Sequence, residues 1–277
     1  MPQTARLRDG NAFTDGVENL TGYICPMPEE IEQVLRDPHP LLWDARLRAA
    51  DVDIVAKTNA AALRLSDGRA VEINAAGPYL KSKIAWKLAV YSYGLQHRLV
   101  NLADGIAICW NAQNTLGAFL NARALIETVA VVCHFEETLC RDFRNRDLTA
   151  INAFVDNGTF ATRDPELIAF SPGIEARNIL TSINKLDKGL PGVRAHYDRL
   201  SERCHPNAMG HVRMYSELNR EDASVNFRGE LHAEANAAAV LSAYAILALG
   251  ESRLQSLHDL TLQVSDLQHL QDPVLSE

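Results

Sequence analysis

The spacing of apolar residues along the chain predicts a protein built mainly from long helices. Between residues 79 and 110, apolar side chains recur three and four positions apart, the repeat of one helix face. Residues 115–139 are apolar on most sides, which predicts a central helix covered by its neighbours. A loop is predicted at residues 156–173, which contain Gly158, Pro165 and Pro172. Further helices are predicted at residues 148–155, 174–186, 193–204 and 230–255.

The first 76 residues have a different pattern, which predicts a small lobe with a β-hairpin. In residues 61–73, apolar positions flank Asp67-Gly68, and an Asp-Gly step between two apolar runs is typical of a two-residue hairpin turn. We therefore expect a mostly α protein, with a small N-terminal lobe at residues 1–76 and a helical bundle at residues 77–277. Short helices are expected at residues 28–36 and 41–49, and a second hairpin or irregular excursion at residues 211–228.

Composition and charge limit the classes of function. The 277-residue chain is 47% apolar and 22% charged, as in an ordinary globular protein. Its net charge of −8 argues against broad non-specific binding to nucleic acids, which requires a positive surface. The N-terminus lacks the apolar core of a signal peptide, and the longest apolar run, residues 237–249, is too short to span a bilayer. We expect a cytoplasmic protein without a membrane partner.

Two charged residues interrupt the apolar central helix. Arg123 and Glu127 stand four residues apart, so their side chains lie on the same side of that helix. Burying an arginine and a glutamate costs several kcal/mol unless the two are paired and hydrogen-bonded. The pair is therefore either a structural clamp between helices or part of a functional site.

A second polar set lies on the helix predicted at residues 193–204. Tyr197, Ser201 and His205 are four residues apart and share a stripe about 80° wide. They form either a polar network that fixes the helix register or the surroundings of a general acid/base, His205, because the reference pKa of histidine lies near neutrality. Arg199 would hold a phosphate in phosphodiester cleavage, and Arg203 is a second cation on this helix.

Metal-binding patterns are weak in this chain. His134 and Glu137 are three residues apart, but the Glu-x-x-His order of a helical dimetal site is reversed. Glu230 and Glu234 are typical of acidic residues in the first turn of a helix. None of the five cysteines has zinc-motif spacing, and phosphate-loop and nucleophile-elbow motifs are missing from the sequence. The sequence therefore predicts no metal and no cofactor.

Two segments carry a resemblance to a known superfamily. ARALIET at residues 122–128 and YDRLSERCHPN at residues 197–207 resemble uncharacterised bacterial helical proteins related to the HEPN superfamily. The resemblance covers roughly residues 79–239. It implies a helical bundle that commonly dimerises, and many members are metal-independent ribonucleases of toxin–antitoxin, abortive-infection and CRISPR systems. The HEPN motif is an arginine followed by a histidine on a late helix, often helped by an acidic residue on an earlier helix. The resemblance implies that Arg199 and His205 fill this motif and that Glu127 is the earlier acid.

The resemblance favours a first hypothesis, a metal-independent endoribonuclease acting as a bacterial toxin or antiviral effector. His205 would be the acid/base, Arg199 would bind the scissile phosphate, and Glu127 would orient an arginine. The remaining site residues of this hypothesis are Arg123, Tyr197 and Ser201, the last two as supports. Its partners would be RNA and a second copy of the chain.

The second hypothesis is a non-catalytic helical module that senses a nucleotide or belongs to an assembly. In this case the same polar residues hold the helix register. The C-terminal region continues an amphipathic pattern, and residues 260–270 would contact a protein partner. A homodimer or larger oligomer is expected under both hypotheses.

Overall fold

A computed structural model of the protein describes residues 35–74 and 82–271 and shows helices packed around one long central helix. The mostly α fold class is therefore confirmed. The strands of the described part, β1 (Ser216–Asn219) and β2 (Ser224–Phe227), form an antiparallel hairpin. The helices are α1 (Val52–Asp67), α2 (Lys83–Asn111), α3 (Thr115–Arg144), α4 (Leu148–Phe160), α5 (Pro165–Phe170), α6 (Ile179–Gly189), α7 (Val193–Cys204), α8 (Val212–Tyr215), α9 (Ala233–Ala245) and α10 (Leu247–Gln271).

Helix α3 is the centre of the bundle, as its apolar pattern predicts. It begins after Asn114, whose side chain accepts a hydrogen bond from the Gly117 amide. It packs against α2, α4, α6, α7, α9 and α10. Phe119, Ala122, Ile126 and Val129 are buried on it, and they recur three and four residues apart. The site residues on α3 are thus held on the most enclosed helix of the described part.

The hairpin predicted at residues 61–73 is wrong. Residues 52–67 form helix α1, and the Gly68 amide caps it by donating to the carbonyl of Arg64 at 3.1 Å. The apolar residues that flank Asp67-Gly68 include Ala62 and Leu65, which are buried at helical spacing in α1. The Asp-Gly step therefore ends a helix.

Other predictions for the N-terminal region have mixed outcomes. The helix expected at residues 41–49 is wrong, because this segment is turns and irregular backbone before a short 3₁₀ turn, Ala49–Asp51. The helix expected at residues 28–36 lies, apart from its last two residues, outside the described residues. Residues 36–74 belong to the same compact unit as the helices that follow. The boundary at residue 76 falls in the undescribed segment 75–81 and stays a prediction.

Later boundaries have mixed outcomes: the helix predicted at residues 174–186 is α6, Ile179–Gly189, and the helix predicted at residues 230–255 is divided into α9 and α10. Helix α7 occupies the predicted residues 193–204, and β1 and β2 lie within the excursion expected at 211–228. The loop expected at residues 156–173 instead contains the end of α4, the short helix α5 and a 3₁₀ turn, Pro172–Ile174. The Asp164 side chain caps α5 by accepting from the Glu166 amide, which explains how a proline-containing segment forms a helix.

The apolar stripe of the C-terminal helix packs mainly inside the chain. Leu257, Leu260, Val264 and Leu267 of α10 are buried in the described part. Leu262 and Leu270 remain exposed. The stripe is thus largely used by the bundle itself, and contact with a protein partner through this helix stays a prediction.

Two helical stretches are long and apolar enough to cross a membrane when judged by length and composition alone. They are Thr115–Arg144, with a mean hydropathy of 1.6 in its most apolar window, and Ala233–Gln271, with 1.4. Within these windows, 56% and 50% of the residues are buried inside the protein. Core helices of soluble proteins meet the same criteria, so the cytoplasmic location stays a prediction.

Candidate functional site

Helix α7 carries most of the predicted site residues, and local interactions fix both of its ends. Gly192 precedes it with a φ of +100°, a conformation that glycine adopts without strain. The Asp187 carboxylate accepts hydrogen bonds from the amides of Gly192 and Arg194 at 2.9 and 3.0 Å. The helix ends at Cys204, and His205 has extended backbone before Pro206. The side chains on α7 therefore project from a fixed helix.

Three of the predicted site residues meet between α3 and α7 and form what we call the α3–α7 clamp. Its members are Arg123, Glu127 and Tyr197. The Tyr197 hydroxyl donates to Glu127 Oε1 at 2.7 Å and accepts from Arg123 Nη2 at 3.1 Å and Nε at 3.3 Å. Arg123 Nε also lies 3.4 Å from Glu127 Oε1. The clamp is a closed arrangement in which each polar group bonds to another member.

The electrostatics of the clamp favour a structural role. Tyr197 is 3% exposed. Burial, together with the hydrogen bond to Glu127, raises its pKa and keeps the phenol protonated. Burial lowers the pKa of Arg123, but the hydrogen bond to Tyr197 and the charge of Glu127 outweigh this, so its pKa is raised. The clamp thus holds an ion pair and, at neutral pH, a protonated phenol.

The other two members of the predicted stripe lie outside the clamp. Ser201 is half-buried, and its buried Oγ has no hydrogen-bond partner among the described residues. His205 is exposed, and its imidazole forms no hydrogen bond or ion pair with any residue that the structure describes. The stripe is therefore divided, with only Tyr197 bonded to α3 through its side chain.

Arg199 lies on a different side of α7 from the clamp. Two helical positions separate it from Tyr197, which places it about 160° around the helix axis. Arg199 is exposed, and it borders a cavity rather than Glu127. In the described part, no hydrogen bond or ion pair joins Arg199 to His205, Arg123 or Glu127. Of the four residues assigned to catalysis, Arg123 and Glu127 thus lie together in the clamp. Arg199 and His205 are bonded neither to the clamp nor to each other.

A basic surface runs along this other side of α7, and we call it the cationic face. Its cations are Arg199 and Arg203, and His196 lies beside them; the three fall within about 60° of one another on an ideal helix. Burial lowers the pKa of Arg203, and the neighbouring Arg199 lowers it further. No carboxylate forms an ion pair with either arginine in the described part. Arg194, which lies five residues before Arg199 on the same helix, is by contrast paired with Asp198 at 2.9 Å.

Beside the cationic face lies a cavity of about 440 Å³, which we call the α7 groove. Its volume falls in the range of small-molecule sites. The polar lining comes from His196, Arg199 and Ser242. His196 Nε2 is buried and has no hydrogen-bond partner among described residues, and burial followed by the charge of Arg199 lowers the pKa of this histidine. The apolar lining includes Ile126, Val193, Ile246 and Leu249.

The sequence analysis missed His196 and Ser242, although part of the signal was present. The spacing of three and four between His196, Arg199 and Arg203 predicts a shared helix face once α7 is assigned. Ser242 lies on α9, and nothing in the sequence indicates that α9 faces α7. Among residues 35–74 and 82–271, no group of three or more His, Cys, Asp or Glu side chains is arranged to hold a metal ion.

Comparison with known proteins adds no family assignment. Protein-family models, curated proteins and solved structures were compared with the chain, and no match was found. The relation to HEPN proteins therefore stays a prediction from the two sequence segments.

Proposed function

We propose that this protein is a non-catalytic helical module that binds a nucleotide in the α7 groove. The observation that carries the proposal is the pair Arg199 and Arg203, two arginines without a carboxylate partner in the described part, beside an apolar cavity. The Arg203 guanidinium lies 5.7 Å from the centre of the Phe119 ring, which orients it by a cation–π contact.

The cationic face suits the phosphate groups of such a ligand. Arginine binds phosphate through parallel N–H donors, and each charge-assisted hydrogen bond contributes about 1.5–3 kcal/mol. Arg199 borders the cavity, and Arg203 follows one helical turn later, so a chain of phosphates would extend from the groove along α7. The cationic face is thus locally positive, although the net charge of the whole chain is −8.

The groove itself suits a planar apolar group such as a nucleobase. Ile126 and Val193 contribute aliphatic walls, and the Ser242 hydroxyl, which donates to the Ala238 carbonyl at 2.7 Å, retains its capacity to accept a hydrogen bond. The buried Nε2 of His196 gains a partner if the base presents a polar edge.

Calorimetric titration of the full chain with ATP and with adenosine tests this proposal. We expect ATP to bind at least about tenfold more tightly than adenosine, because even one charge-assisted hydrogen bond from arginine exceeds about 1.4 kcal/mol. The ATP affinity should fall as salt rises. Equal affinities for the two compounds, or no binding of ATP at millimolar concentration, would contradict the proposal.

The second candidate function is the metal-independent endoribonuclease. One observation favours it: His205 is exposed and unbonded within the described part, at the end of the helix that also carries Arg199 and Arg203. Such an imidazole is free to move protons to and from a ribose hydroxyl. In this candidate a second copy of the chain would complete the site.

Incubation of the purified protein with total RNA tests the nuclease. This candidate predicts cleavage that a chelator does not affect, that leaves a cyclic phosphate, and that His205→Ala abolishes without lowering the melting temperature. Intact RNA after incubation, or cleavage that persists in His205→Ala, would eliminate it.

A further inference from the structure

A second, separate cavity lies nearer the C-terminal end of α3 than the clamp does. Its volume is about 150 Å³, and it is enclosed by α2, α3, α4, α6 and the segment that precedes α6. Tyr91, Phe135 and Phe154 provide aromatic walls. Phe135 and Phe154 are stacked with ring centres 4.9 Å apart, and the ring centres of Tyr91 and Phe135 are 4.6 Å apart. A cavity of this size accommodates a single six-membered ring.

The aromatic walls are fixed by tight packing. A side chain at Gly158 of α4 would place its Cβ 3.0 Å from Cζ of the Tyr91 ring, so glycine at this position lets the ring lie against the helix. Burial raises the pKa of Tyr91 to about 12, and its hydroxyl forms no hydrogen bond with a described residue. The phenol is therefore a neutral donor that remains unused at the cavity.

One end of the cavity carries an ordered polar pair. His134 Nδ1 lies 3.0 Å from Ser182 Oγ, and the other ring nitrogen, Nε2, lies 2.6 Å from Lys185 Nζ. Burial, then the charges of Lys185 and Arg177, lower the pKa of His134 to about 4, so the ring is neutral at neutral pH. Because the ammonium of Lys185 donates to Nε2, the ring proton sits on Nδ1 and is donated to Ser182. The hydroxyl hydrogen of Ser182 is then free for an acceptor.

This arrangement excludes His134 as the base for Ser182. A serine nucleophile needs an unprotonated ring nitrogen facing its hydroxyl, whereas Nδ1 carries the proton here. Ser182 is 8% exposed and lines the cavity. The pair is thus suited to donating a hydrogen bond to a bound oxygen and not to attacking a substrate.

The charges around the cavity are positive. Arg177 lines it, with its guanidinium 5.2 Å from the centre of the Phe154 ring, and Lys185 lies beside His134. No aspartate or glutamate is among the lining residues, and neither cation forms an ion pair with a carboxylate in the described part. The first turn of α6 lies at the same end, and the positive end of a helix also favours an anion.

We propose that this cavity binds a small monocyclic aromatic carboxylate. The ring would lie against the wall formed by Tyr91, Phe135 and Phe154, and the carboxylate would accept hydrogen bonds from Arg177 and from the Ser182 hydroxyl. The site shares no lining residue with the α7 groove.

Ligand-observed NMR with benzoate and benzylamine, together with the ring resonances of His134, tests the proposal on the full chain. We expect benzoate to bind at millimolar concentration and to shift the His134 resonances, while benzylamine, which has the same ring and the opposite charge, binds at least about tenfold more weakly. Absence of benzoate binding, or equal binding of the two compounds, would overturn the proposal.

A matched pair of variants locates the carboxylate. Arg177→Gln should weaken benzoate binding at least about tenfold, since it removes a charge-assisted contact. Arg163→Gln removes an exposed arginine that does not line the cavity and should leave the affinity unchanged. Both changes are at exposed positions, so the variants are expected to fold. Undiminished binding in Arg177→Gln would overturn the assigned position.

Discussion

Replacing Tyr197 by alanine is expected to lower the free energy of unfolding by about 3–5 kcal/mol. The change removes a ring that is 3% exposed and leaves a cavity between α3 and α7. It also removes the hydroxyl that joins Arg123 to Glu127. Denaturant unfolding followed by circular dichroism measures the loss.

The smaller change Tyr197→Phe separates the hydroxyl from the ring. It should cost about 1–2 kcal/mol, because Arg123 and Glu127 lose a partner but are 30% and 25% exposed and can reach water. Tyr215→Phe is the matched control, since the Tyr215 hydroxyl forms no hydrogen bond with a described residue. If Tyr197→Phe is as stable as the wild type, the α3–α7 clamp does not hold the two helices together.

Replacing Trp110 by alanine is expected to cost a similar amount, about 3–5 kcal/mol. Trp110 is 1% exposed at the end of α2, and its Nε1 donates to the Leu42 carbonyl at 2.9 Å. The Arg46 guanidinium lies 3.6 Å from the centre of its ring. The residue therefore fastens the irregular segment before α1 to the bundle.

Trp43 provides a matched control for this change. It is 48% exposed and lies in the same irregular segment, so Trp43→Ala should change the free energy of unfolding by no more than about 0.5 kcal/mol. Denaturant midpoints for the two variants compare them directly. Equal losses for Trp43→Ala and Trp110→Ala would contradict the assigned packing of this segment.

Helix periodicity could be predicted well from the sequence, because it depends on local side-chain spacing. The centre of α3 and the bounds of α7 follow from apolar spacing and from Pro191, Gly192 and Pro206. The error at Asp67-Gly68 has a physical cause: the same dipeptide suits a hairpin turn and a helix end, and only the burial of α1 against other helices decides between them.

The candidate site could be predicted only in part. Arg123, Glu127 and Tyr197 can be recognised in the sequence because they are polar residues inside apolar helix patterns. Such residues are expected to be buried, and buried polar groups need partners. Whether Arg199 would reach them depends on how α7 is rotated against α3, which local sequence does not encode. The α7 groove and the aromatic cavity are formed by residues from helices far apart in the chain, so their existence follows from packing alone.

The most direct test of the proposed function compares three arginines on one helix. Calorimetric titration with ATP would be carried out on Arg199→Gln, Arg203→Gln and Arg194→Gln. We predict that the first two each weaken binding about tenfold or more, whereas Arg194→Gln, which removes an arginine already paired with Asp198, changes the affinity less than about twofold. Wild-type affinity in both Arg199→Gln and Arg203→Gln would contradict the account.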